Sequence, residues 1–323
     1  MTKMFWKDII NDSDLWTGLR FKIGKGISGK YQIESGNNCR FKLISEENPI
    51  LWGTFGSDYY GVWILNNKTD WDLKEMPVNP ISSSIIEKSK NADYYKFWSR
   101  YFVEDLCNKN KSILSSGIWT ITIGSSFKNR LDNTSEFIND IENTFDKENP
   151  RWIEWDIGRC GSIVALKDEP IEKNGRVKWF RKLVREDSCP PVLVWFLSCI
   201  DGYIILDGHS RLKAFQLESV PIKFLVLNSI VEEEIKRDPK VQANVLLGLQ
   251  KRENNKRKRK MDIEEVNKLL ISVFDTRPYY RPITNAKAKS GYESKWTSEV
   301  REFGVKQKLN SEDIEDMIER IEN

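Results

Sequence analysis

Five consecutive residues, Asp207, Gly208, His209, Ser210 and Arg211, bring together groups suited to holding an anion. Gly208 permits close main-chain approach. Arg211 supplies a planar cation with several donors. Ser210 can donate, accept or cap a helix. His209 is the only histidine among 323 residues, and imidazole chemistry makes it a candidate acid/base near neutral pH. The residues before the turn, Tyr203-Ile204-Ile205-Leu206, form an apolar run too short for a helix and suited to a buried strand. Leu212, Ala214, Phe215 and Leu217 follow at helical spacing. A strand therefore enters a helix through a glycine turn, which aims free N–H groups and a positive helix end at one point. The plain alternative is an ordinary Asp-Gly turn whose histidine satisfies nearby backbone.

The surrounding elements form a small unit. Val192–Leu197 reads as a buried strand led by Pro190-Pro191, Ser198–Gly202 as a turn, and Tyr203–Leu206 as the antiparallel partner. A helix over Ser210–Glu218 and a strand over Ile222–Leu227 complete it. Upstream, Ile163–Leu166 is a short strand, and Val177, Phe180, Leu183 and Val184 mark one face of a helix.

This pattern resembles the core of a ParB/sulfiredoxin-like domain: a Pro-led strand, a Gly turn, a strand, the Asp207-Gly208-His209-Ser210-Arg211 turn, a helix, then a strand opened by Val220-Pro221-Ile222. The match covers roughly residues 160–228, and its turn is closest to the free serine kinase branch. The resemblance implies a nucleotide, ATP or CTP, bound through its phosphates at Asp207–Arg211, usually with Mg²⁺; Asp207 is the candidate metal ligand. It also implies a catalytic carboxylate ahead of the helix that precedes the Pro-led strand. Glu169 is the first candidate there and Asp168 the second, with His209 as the third catalytic group. An exposed acidic loop is the alternative for that pair, and no histidine precedes the acid as it does in the kinase pattern. The sulfiredoxin branch carries a reactive cysteine beside the histidine; here Gly208 takes that place, which argues against thiol chemistry.

The rest of the chain sets the frame. Hydrophobic content of 39% and charged content of 31% describe a soluble globular chain. No apolar run approaches the ~20 residues of a membrane span, and the N-terminus lacks a signal core, so a cytoplasmic protein is expected. Five scattered cysteines without a C-x-x-C pair point to neither a zinc site nor a disulfide framework. We expect an α+β protein in three parts: a β-rich aromatic N-terminal domain (1–149), the ParB/sulfiredoxin-like nucleotide-binding domain (150–230), and a helical basic C-terminal region (231–323).

In the first part the sequence predicts a short helix around Trp6–Leu15 and an antiparallel meander over 19–66. Gly24–Lys30 lacks phosphate-loop spacing and reads as a hairpin loop. One aromatic-striped helix is predicted over Ile85–Cys107. In the last part, helices are predicted over Val231–Lys236, Val241–Gln250 and Ile263–Val273. The block Lys256, Arg257, Lys258, Arg259, Lys260 is the candidate contact to DNA or RNA, or else a solvated face. Three functions remain: a nucleotide-dependent phosphotransferase or nucleotidase; a non-catalytic nucleotide- or DNA-binding regulator; and an interaction or immunity-type protein acting through the first domain.

Overall fold

All six residues of Val192–Leu197 and all six of Gly202–Asp207 are buried, as expected for strands covered on both faces. The structure, a computed structural model, describes residues 6–319 except positions 12, 26, 28, 57–59, 69–76, 109–112, 124–140, 156–160, 235, 255–260 and 277. The chain opens with β1 (Trp6–Ile10), β2 (Trp16–Ile23), β3 (Tyr31–Ser35), β4 (Arg40–Ser45), β5 (Asn48–Phe55) and β6 (Gly61–Asn66). Helices α1 (Ser83–Ser89) and α2 (Tyr94–Asn108) lead to β7 (Gly117–Ile123), β8 (Arg151–Glu154) and β9 (Ile163–Val164). Then come α3 (Gly175–Arg185), β10 (Val192–Leu197), β11 (Gly202–Asp207), α4 (His209–Glu218) and β12 (Phe224–Glu233). The chain continues through α5 (Pro239–Glu253), α6 (Ile263–Phe274), β13 (Tyr279–Ile283), β14 (Ala286–Ala288), α7 (Tyr292–Gln307) and α8 (Ser311–Glu319). The fold is α+β.

Two compact units result, a large one that includes Pro282–Asn323 and a small one over Val231–Arg281. In the large unit one sheet follows the path β1-β2-β7-β12-β10-β11-β9. β10 pairs antiparallel with β11 and parallel with β12, Val192 facing Phe224. A second sheet runs β14-β3-β4-β5-β6-β8. A large core joins both sheets to helix residues, with Leu19, Phe41, Val62, Trp98, Phe102, Phe180, Leu206 and Phe215 all buried in it. Against the second sheet, α7 and α8 bury Trp296, Val300, Met317 and Ile318 onto Trp52 and Leu65. In the small unit α5 and α6 bury no residue, and Arg281 and Tyr279 bond Glu233. No described helix is long and apolar enough to cross a membrane.

Several expectations are corrected. The division at residue 150 does not coincide with the sheets: β7 joins β2 to β12, and β8 pairs with β6. The stretch 231–323 likewise divides, its last part packing on the N-terminal sheet through β14, α7 and α8. Trp6–Ile10 is a strand, because pairing with β2 and a Trp16 Nε1 bond to Asp8 (3.0 Å) outweigh its helix-like spacing. Residues 24–30 link one sheet to the other, since β2 pairs with β1 and β7 and β3 pairs with β4 and β14. The aromatic helix is interrupted between Ser89 and Tyr94. Val231–Glu233 continues β12 instead of forming a helix.

Candidate functional site

β11 ends at Asp207 and α4 begins at His209, with Gly208 between them at φ +115°. No side chain caps α4, so the helix leaves its first N–H groups without acceptors of its own. A cavity of about 530 Å³ lies at this turn. It is lined by Asp207, Gly208, His209, Ser210 and Arg211 together with Lys167, Asp168, Arg176, Phe180 and the segment Val78-Asn79-Pro80. Asp168, Arg176 and Asn79 are exposed at its mouth. Three cations face two carboxylates on this wall, and the positive end of α4 adds to that balance.

Arg211 is only 1% exposed. Its Nη2 donates to Asp207 Oδ2 at 2.5 Å, its guanidinium sits 5.7 Å from the Phe180 ring centre, and its Nε has no partner. Glycine at 208 is required here twice over. A Cβ would come within 2.8 Å of Arg211 Nη2, and the positive φ strains any L side chain. Gly208→Ala is expected to cost ~1–3 kcal/mol, read as a lower Tm; an unchanged Tm would contradict this packing.

His209 is buried, and its Nε2 has no hydrogen-bond partner. Such an orphaned atom needs a ligand or water to offset its desolvation. Burial first, then the nearby Lys167 and Arg211 charges, lower the imidazole pKa from 6.5 to about 3. With its pKa lowered this far, the ring is neutral near neutral pH, unlike the half-protonated imidazole expected of an acid/base there. The unfolded chain takes up a proton near 6.5 and the folded chain does not until about 3. The stability from this group is therefore complete above 6.5 and lost as pH falls through that window. With one histidine in the chain, its ring resonances report directly. No titration is expected above pH 5, and a midpoint near 6.5 would contradict the burial.

The two upstream acids separate. Asp168 lines the cavity with its side chain 88% exposed, 3.9 Å from Lys68. Glu169 instead pairs with Lys213 of α4 and is not on the cavity wall. Of the two acids, Asp168 is the one on the cavity wall. Asp207, the candidate metal ligand, is already engaged by Arg211. No group of three or more His, Cys, Asp or Glu residues suited to a metal exists among the described residues. A Mg²⁺ carried in by a nucleotide needs only one or two carboxylates, the rest of its shell being phosphate and water, and Asp168 is the open one. Burial pushes the Cys189 thiol up to about 12, so it is not a thiolate at neutral pH. The basic run Lys256–Lys260 lies outside the described residues.

Lys167, Arg176 and Asn79 were not singled out by the sequence, and Phe180 was read only as part of a helix face. Arg176 stands in the first turn of α3, its backbone N–H donating to the capping side chain of Asn174. Asn79 carries no hint at all. No family model, curated protein or solved structure matches this chain. The fold and the turn define an α+β protein with a strand–turn–helix cavity of mixed charge and positive excess.

Proposed function

We propose that this cavity binds the phosphates of a nucleotide, ATP or CTP, carried with Mg²⁺, in the manner of ParB/sulfiredoxin-like domains. The single observation that carries the reading is the buried, unpartnered Nε2 of His209 on a cavity wall at an uncapped helix start. A phosphoryl oxygen would satisfy that nitrogen and the first N–H groups of α4 together. Arg211, fixed by Asp207 and Phe180, orients the anion, and Arg176 supplies charge at the mouth. When bound, Mg²⁺ would neutralise phosphate charge, with Asp168 as its nearest open carboxylate. In a phosphotransferase or nucleotidase, Asp168 takes the acceptor proton, with Glu169 second.

A second reading, a nucleotide sensor without turnover, is favoured by the low imidazole pKa and by the Arg211–Asp207 pairing. Both leave the turn as a binding device. Contact with DNA or RNA through Lys256–Lys260 belongs to this reading, as does a cytoplasmic setting.

Thermal denaturation with ATP, CTP or GTP plus Mg²⁺ tests both readings, because a ligand held only by the folded state raises Tm. A rise with ATP or CTP that disappears in His209→Ala is expected; no rise with any of them would remove both. Phosphate release lost in Asp168→Ala supports the enzyme, and release surviving Asp168→Ala and Glu169→Ala eliminates the assigned acids.

A further inference from the structure

The apolar residues of α6 cover more of the helix than one neighbour can take. Val266, Leu269 and Val273, at i, i+3 and i+7 spacing, are half-buried. Leu269 shares a cavity of about 470 Å³ with Val245 and Leu249 of α5, and Gln242 Nε2 donates to Val273 O at 3.3 Å. That side of α6 belongs to α5. Ile263, Leu270, Ile271 and Phe274 fall at i, i+7, i+8 and i+11, a second stripe beside the first. Ile263 is 77% exposed, Ile271 56% and Phe274 39%. The polar residue among them, Asn267 at i+4, is uncharged.

A helix of this length takes its stability from packing an amphipathic face, and neither α5 nor α6 buries a side chain. Val231–Arg281 is also shorter than the ~70–80 residues at which a lone core becomes sufficient. With Leu246 of α5, 45% exposed, the second stripe leaves open the surface of about two whole side chains, roughly 400 Å². A stable interface takes ~800 Å² from each partner, a little over half of it apolar. The face therefore carries the apolar share of one half of a dimer.

We propose that this face is covered by the same face of a second copy of this chain, two α5–α6 hairpins forming an antiparallel four-helix bundle about a two-fold axis. The basic run Lys256–Lys260 precedes α6 in the sequence. Antiparallel packing of the two α6 helices keeps these runs at opposite ends and opposes the helix dipoles, whereas a parallel pair would bring like charges together. In the antiparallel register Ile263 lies beside Phe274 of the partner subunit, at both ends of the contact. The inference is independent of what the turn at Gly208 binds.

Light scattering after gel filtration of the full chain at micromolar concentration tests this, and twice the chain mass is expected. Ile263→Glu and Phe274→Lys, each alone, should weaken the dimer about tenfold or more, because each sets a lone charge in an apolar contact. A chain carrying both changes should regain the dimer, since antiparallel packing faces each new carboxylate with an ammonium of the other copy. Both positions are exposed in the single chain, so circular dichroism should show the large unit unfolding as before. A monomer at high micromolar concentration, or a dimer indifferent to both single changes, overturns the inference. Failure of the double change to restore association overturns the antiparallel arrangement. A monomer that instead binds anionic vesicles or DNA, and loses that binding in Ile263→Glu, overturns the second copy as occupant and gives the face to that ligand.

Discussion

Replacing Asp207 by alanine is expected to destabilise the large unit by ~3–5 kcal/mol, because it strands a buried cation. Arg211 is almost entirely inaccessible, and Asp207 is its one ion-pair partner among the described residues. The guanidinium has little else to offset its lost hydration: Nε is unpartnered and the Phe180 face is a weak substitute. The pair itself need not be a large net gain, since two desolvated ions cost nearly what they recover. The asymmetry is therefore the diagnostic. Asp207→Ala should cost far more than the double change Asp207→Ala with Arg211→Met, which removes the cation and keeps an apolar stem of similar reach. Urea unfolding followed by circular dichroism measures both. Additive losses would mean that the two side chains are not coupled and that the turn is not held as described.

The second large effect is expected at Trp296. This side chain is fully buried between α7 and the second sheet, with Nε1 donating to Phe41 O at 2.9 Å and the Arg40 guanidinium 5.1 Å from its ring. Arg40 in turn donates to Glu293, Thr297 and Ile318 O. Polar and apolar attachments of the C-terminal helices thus meet at one residue. Trp296→Ala should cost ~3–5 kcal/mol through the cavity it leaves. Trp296→Phe should cost less, since it keeps much of the volume and loses the N–H. The C-terminal helices should also become the first site of limited proteolysis in the alanine variant. Stability unchanged by the alanine variant would deny that α7 and α8 belong to the folded core.

What the sequence disclosed, and what it hid, follows from the range of the interactions. β10, β11 and α4 were legible because Val192–Leu197 is continuously apolar, Gly202 and Gly208 punctuate the chain, and Leu212, Ala214 and Phe215 keep helical spacing. β1 was misread because Trp6, Ile9 and Ile10 are spaced like a helix face; only its pairing with β2 makes it a strand. β7 between β2 and β12, and β14 beside β3, are pairings over long separations that no local pattern encodes. The site shows the same division. Asp207–Arg211 was visible as a cluster, but the burial that lowers the His209 pKa comes from packing. Asn79, on the cavity wall, is bonded to Asp105, 26 positions away. Glu169 and Asp168 are neighbours in sequence, and only the Lys213 contact separates their roles.

The acid sensitivity of Glu218 has the same origin in packing. Hydrogen bonds from Arg185 and Arg181 hold its carboxyl at about 2. Its contribution is complete above the ordinary carboxylate range and is lost as pH falls from about 4.5.

The most direct measurement is a titration of the folded protein with ATP and with CTP, each with Mg²⁺, watched through the ring resonances of His209. One histidine means one signal, and that signal belongs to the group said to meet the phosphate. A saturable shift with at least one nucleotide, absent with the free nucleoside, is the expected result. Resonances that stay fixed through millimolar additions of both would contradict the claim that this turn holds a nucleotide.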